Sequence, residues 1–191
     1  MKIMIIQSSP NQDGLTSACA SAAEEGIRSS GGETEEIYLN ELNIDHCHAC
    51  NDGWGTCRKE HKCQELDDFQ ALHLSMAQAD GVVIVTPVYW GDLSESAKAF
   101  TDRLRRCEAT QDEGKSIMFN KPVIAVAAAG GSGRGMITCL LNLERWIQHV
   151  QGRVFDLLPV NRWSREYKTI AIRAAGMALV KDLEQNRNSS Y

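Results

Sequence analysis

Four of the seven cysteines in the chain, Cys47, Cys50, Cys57 and Cys63, fall within seventeen consecutive residues. The stretch has no clean periodicity and reads as loop. Thiolates are soft ligands, and four this close can surround one metal centre. A [4Fe–4S] cluster and a structural zinc both use four-cysteine sites, so the residues alone leave that choice open. A redox dithiol or disulfide, or thiols that hold no metal, are the other readings. An odd total of seven fits poorly with a fully paired disulfide framework. His46 and His48 flank the thiols and are expected to be solvated loop residues. Trp54 is expected to pack within the segment. Cys19, Cys107 and Cys139 fall on or beside helices and are expected to be small buried hydrophobes.

Three further stretches place polar or aromatic groups where a ligand could meet the backbone. Residues 8–17 gather hydroxyls and amides ahead of a helix. A helix start favours an anion through its dipole and its free N–H groups. The stretch is neither Gly-x-Gly-x-x-Gly nor a Walker loop. It suits a terminal monophosphate held by hydrogen bonds, or else it is a polar turn with a Thr or Ser cap. Residues 86–92 carry Tyr89 and Trp90, which suit a flat, partly polar ring; they would equally pack a helix start or a subunit contact. Residues 129–135 contain Gly130, Gly131, Gly133 and Gly135, which permit close backbone approach to a ligand. Read singly, that loop need have no chemical role.

Alternating strands and helices must position these loops. Near-continuous apolar runs predict strands over 2–7, 81–86 and 122–128, and further strands are expected over 34–39 and 153–160. Helical spacing predicts helices over 16–29, from Asp67 or Asp68 through Ala79, over 94–105, over 136–151 and over 164–185, with a frayed tail from Asn186 to Tyr191. Five such alternations imply a parallel, doubly wound α/β sheet with helices on both faces. Ligands in such sheets sit beyond the C-terminal ends of the strands. All three loops leave strands at that edge, and this shared position gives them their weight.

The motifs resemble those of the flavodoxin-like NADPH-dependent FMN reductases, and within them the iron–sulfur flavoproteins. That family opens with Gly-Ser-Pro-Arg-x-x-Gly-Asn-Thr after its first strand; here the motif stands as Ser8-Ser9-Pro10-Asn11-Gln12-Asp13-Gly14-Leu15-Thr16. Ser-Pro-x-Tyr-Trp-Gly stands as Thr86-Pro87-Val88-Tyr89-Trp90-Gly91, followed by Lys98-Ala99-Phe100-Thr101-Asp102-Arg103. The resemblance covers about residues 1–150. It implies one flavodoxin-like domain over 1–191, a five-stranded sheet of order 2-1-3-4-5, and a cysteine-rich insert at 46–66.

The resemblance also implies FMN. Ser9, Asn11, Thr16 and Ser17 would hold its phosphate. Pro87, Val88, Tyr89, Trp90 and Gly91 would line the ring, with Gly130, Gly131, Ser132 and Gly133 on its pyrimidine side. No side chain need be catalytic. Cys47, Cys50, Cys57 and Cys63, followed by Asp67-Asp68, resemble the cluster ligands of the iron–sulfur branch. The middle gap is four residues longer here and contains Gly53-Trp54-Gly55, which can fold the insert back. Ser8, Asn11 and Leu15 replace Gly, Arg and Asn, and the loss of Arg removes a charged phosphate partner.

The expected function is an FMN-dependent oxidoreductase. It would pass electrons from NAD(P)H or a reduced carrier to a quinone, a flavin or a protein acceptor. The alternatives are a non-catalytic electron carrier and a cofactor-free binding module on the same fold. Relatives cover the flavin with a neighbour's segment, which implies a homodimer or homotetramer. With 43% hydrophobic and 24% charged residues the chain reads as globular. A net charge of −5 without a basic stripe argues against nucleic acid. No window approaches the roughly 18 apolar residues of a membrane span, and no leader pattern is evident at the N-terminus. A cytoplasmic location is expected.

Overall fold

The computed structural model describes residues 1–188. Five parallel strands, β1 (Lys2–Gln7), β2 (Glu33–Tyr38), β3 (Gly81–Pro87), β4 (Pro122–Ala129) and β5 (Arg153–Asn161), lie in the order β2-β1-β3-β4-β5. This is the flavodoxin-like order the sequence leads one to expect. The central strands β1, β3 and β4 are apolar on both sides because helices cover both faces. At one edge β2 carries Glu33, Glu35 and Glu36, and charge there discourages pairing with another sheet.

The helices are α1 (Leu15–Ser29), the single distorted turn α2 (Cys50–Gly53), α3 (Phe69–Ala77), α4 (Glu95–Glu108), α5 (Met136–His149) and α6 (Arg165–Asn188). Strand alternation sorts the core into two layers. Ile3 and Ile5 face Cys19, Ile27, Ile172 and Leu179 of α1 and α6. Met4 and Ile6 face Phe69, Met76, Phe100, Leu104 and Leu143 of α3, α4 and α5. Two glycines bring α1 and α6 together closely. A Cβ on Gly26 would stand 2.1 Å from the Arg173 carbonyl oxygen, and one on Gly176 would stand 2.7 Å from that of Ala23.

The elements follow the sequence reading with shifts at their ends. β2 stops at Tyr38 because residues 39–41 turn into a short 3-10 helix. α5 ends at His149 rather than 151. α6 continues through Asn188, so the expected tail is helical at 186–188, while 189–191 lie outside the described residues. Cys19, Cys107 and Cys139 are fully buried, as expected. Burial pushes the thiols of Cys19 and Cys139 up to about 12, and that of Cys107 higher still. Among the described residues no helix is long and apolar enough to cross a membrane.

Candidate functional site

Strand order reverses between β1 and β3, and the loops beyond β1, β3 and β4 are stitched together there. The Ser8 N–H donates to the Val85 carbonyl (3.2 Å), and the Val88 N–H donates to the Ala128 carbonyl (3.0 Å). Ser94, at the start of α4, joins two of the loops. Its N–H donates to Thr86 Oγ1 (3.1 Å), and its hydroxyl donates to the Ser8 carbonyl (3.4 Å). The same oxygen caps α4 by accepting from the Ala97 N–H (3.4 Å).

The first loop closes on Asn11. Ser9 and Ser17 both donate their hydroxyls to its carbonyl (3.0 and 2.7 Å), and its N–H donates to Ser9 Oγ (3.1 Å). Thr16 and Ser17 sit in the buried first turn of α1, whose leading amides have no partner within the helix. Gly14, without a side chain, stands at the cap position. The Ser8 hydroxyl is buried without a partner among the described residues.

The second loop makes a tight hairpin in which Tyr89 and Asp92 exchange backbone hydrogen bonds, both 2.9 Å. Trp90 (φ 53°) and Gly91 (φ 80°) occupy its tip, both with positive φ as in a type I′ turn. This turn holds Trp90 wholly in solvent, with Tyr89 partly covered. In the third loop Gly135 (φ 81°) packs against the second, since a Cβ there would lie 2.7 Å from Gly91 Cα. Gly133 is pressed on Trp163, where a Cβ would lie 2.5 Å from the indole. Gly130 and Gly131 face open space, a cradle that side chains would fill. The structure therefore gathers Ser9, Asn11, Thr16, Ser17, Pro87 to Gly91 and Gly130 to Gly133 along one edge of the sheet. The roles of Ser8 and Ser94 were not legible, because a serine after a strand and one before a helix look like ordinary turn and cap residues.

The insert gathers a second group of residues. Cys47, Cys50, Cys57 and Cys63 are half-buried, unpaired thiols lining one small cavity with His48, Arg103 and Arg106. No three of the four sulfurs lie within 4.8 Å of one another among the described residues. The backbone around them is strained, with positive φ at Ala49 (47°), Asn51 (50°) and His61 (56°). Cys50 Sγ donates to Glu65 (3.6 Å), and desolvation followed by that carboxylate raises the thiol above its ordinary range. Trp54 packs within the insert, under the Arg106 guanidinium at 4.4 Å. His46 is exposed, and His48 hydrogen-bonds Asp45 (3.0 Å) and Glu65 (3.2 Å). Asp45 is drawn down to about 2 by His48 and then by the N–H and ring of His46.

The ends of the insert are tied by Asp67 and Asp68, which accept from the N–H groups of Asp45 (3.0 Å) and Asn43 (2.7 Å). Asp67 also accepts from the Phe69 N–H (3.0 Å), so it is the side chain that caps α3. Burial alone would raise its carboxyl, but Arg103 and these N–H groups together hold it below the ordinary value. At the C-terminal end of α4, Glu108 is fully buried and bonded to His73 Nε2 (2.6 Å) and the Ile117 N–H (2.9 Å).

The sequence profile of the NADPH-dependent FMN reductase family matches residues 1–160. The chain belongs to that family. Within reach of this family member are iron–sulfur flavoproteins of archaea. One from Methanosarcina thermophila is 29% identical over 158 residues, covering 81% of this chain and 76% of that one. Another, from Methanocaldococcus jannaschii, is 35% identical over 105 residues, 55% of this chain. That match spans about half, 52%, of the relative's length. Among solved structures, RosB, captured with 8-demethyl-8-formylriboflavin-5'-phosphate, superposes with a TM-score of 0.77 at 14% identity over all of this chain and 82% of its own. A flavodoxin from the domain Archaea gives 0.64 at 13% identity over 96% and 99%. At such identities these superpositions speak for the fold.

Proposed function

We propose that the chain is an FMN-dependent oxidoreductase passing electrons from NAD(P)H or a reduced carrier to a quinone, a flavin or a protein acceptor. One observation carries this: the three loops meet at the β1–β3–β4 edge, with Ser94 binding two of them together. The residues fit the cofactor. The orphan Ser8 hydroxyl and the open first-turn amides of α1 are donors suited to a phosphate, which would rest among Ser9, Asn11, Thr16 and Ser17. Residues 87–91 and 130–133 would border the ring, Gly130 and Gly131 leaving it room. FMN, when bound, supplies both hydride and one-electron chemistry. The residues bind it, orient it and keep water from its face; no acid or base is required of them.

A second centre is favoured by the four thiols lining one cavity, a donor set that suits a [4Fe–4S] cluster held by Cys47, Cys50, Cys57 and Cys63. Such a centre would make the chain an exchange point between two-electron and one-electron partners. The exposed apolar side chains Trp90, Ile137, Leu141, Trp163 and Tyr167 support self-association as a homodimer or homotetramer, which sizing by light scattering tests. Anaerobic purification followed by a spectrum and iron, sulfide and zinc analysis tests both centres. Flavin bands with about four irons per chain are expected. A colourless protein that ignores added FMN would end the flavin reading, and zinc alone would make the insert structural. NAD(P)H oxidation with quinone or ferric acceptors separates an enzyme from a carrier.

A further inference from the structure

One cation in the chain is placed unlike any other. Arg103 of α4 is 1% exposed, yet its guanidinium reaches two points within the insert and the two residues that flank it. Nη1 donates to the Asp45 carbonyl (3.1 Å) and to the Asp67 carboxylate. Nη2 donates to the Glu65 carbonyl (3.1 Å) and to Cys63 Sγ (3.4 Å). Its plane stacks on Phe69 at 4.5 Å, and Nε is buried without a partner among the described residues. One turn further, Arg106 donates to the Gly53 carbonyl (2.9 Å) and covers Trp54. Arg103 therefore holds the two outer arms of the insert, one entering before Cys47 and one leaving after Cys63, while Arg106 holds the middle.

We infer that Arg103 is the positioning residue of the cysteine centre: its buried fork aligns the arms that carry Cys47 and Cys63, and its charge and Nη2–H···Sγ contact set the reduction potential of a cluster held there. The first part stands on geometry alone. The second rests on the iron–sulfur reading of the four thiols. A cluster held by four thiolates is anionic, and reduction adds a further negative charge. A fixed cation with an N–H on a ligand sulfur stabilises that reduced form and raises the potential. Lysine would keep the charge but lose the planar fork that binds several acceptors at once.

The test compares Arg103→Gln and Arg103→Lys with Arg105→Gln. Arg105 lies on the same helix, lines the groove toward α5 instead, and its loss changes net charge equally. Limited proteolysis of the metal-free chain reads insert order. The midpoint potential of the anaerobically reconstituted protein, followed by EPR, reads the charge. FMN retention and circular dichroism report the fold. R103Q is expected to be cut within residues 46–66 several-fold faster than wild type and to give a more negative potential, while R105Q changes neither. R103K is expected to be cut faster but to keep a potential close to wild type; it also serves if R103Q does not fold. Equal cleavage in R103Q, R103K and R105Q overturns the positioning role, and an R103Q potential matching that of R105Q overturns the electrostatic one. If wild type takes up zinc or no metal, the cluster reading falls, and cleavage of the metal-free variants then decides the positioning role alone.

Discussion

The loop edge of the sheet and the cysteine insert hold their parts in opposite ways. At the sheet edge, each loop is anchored within a residue or two of a buried parallel strand, by backbone bonds such as Ser8 to Val85 and Val88 to Ala128. Side chains are small, and glycines allow the loops to touch. In the insert hardly any regular structure exists, the backbone takes strained angles, and order comes from long side chains of a distant helix. A rigid scaffold can position a flat ligand with little local expense. A loop of irregular backbone needs either a bound centre or buried charges to stay folded.

The largest consequence of this contrast concerns Cys50. Cys50→Ser is expected to abolish metal content while leaving FMN bound; unchanged iron or zinc by elemental analysis would reject the ligand assignment. Next comes Glu108, whose buried pairing with His73 supports α3 and α4 behind the insert. Glu108→Gln leaves His73 without its carboxylate and is expected to cost about 1–3 kcal/mol in urea unfolding. Burial alone would raise the Glu108 carboxyl, but His73 and the Ile117 N–H hold it below the ordinary value. A depressed carboxyl contributes stability above its unfolded value, about 4.3, and loses it as pH falls through the folded value. Wild type should therefore lose stability more steeply than E108Q below about pH 4; parallel curves would remove Glu108 from the acid response.

Effects at the loop edge should be felt by the ligand more than by the fold. Gly131→Ala meets no atom within 4 Å, so unfolding should change by less than about 0.5 kcal/mol. FMN affinity should nonetheless fall about tenfold or more, as overpacking against a bound ring costs about 1–3 kcal/mol. Unchanged affinity by fluorescence titration would take the third loop off the flavin. The smallest effect is a gain. Asn11→Arg restores a charged partner for phosphate and should tighten FMN several-fold, on the order of 1 kcal/mol, with riboflavin unaffected. Equal tightening of riboflavin would place the phosphate elsewhere.

The same contrast explains what the sequence discloses. Strand runs such as 81–87 and 122–129 announce themselves because both faces are buried, and the three edge loops follow their strands directly. The thiols are equally plain, being close in sequence. Arg103 and Arg106 are not, since partners such as Asp45, Cys63 and Gly53 lie 40 to 58 residues upstream and nothing in a helical pattern marks a buried guanidinium. That Trp90 stands at the exposed tip of a tight turn was not legible either. Turn geometry depends on φ angles that a single tryptophan does not reveal.

The close approach of Gly26 and Gly176 has a consequence for biogenesis. The helix that follows the first loop is fastened by one that a ribosome releases long after it. A nascent chain arrested before Arg165 should leave the apolar flank of that early helix uncovered, and its amides should exchange with solvent almost freely until translation resumes.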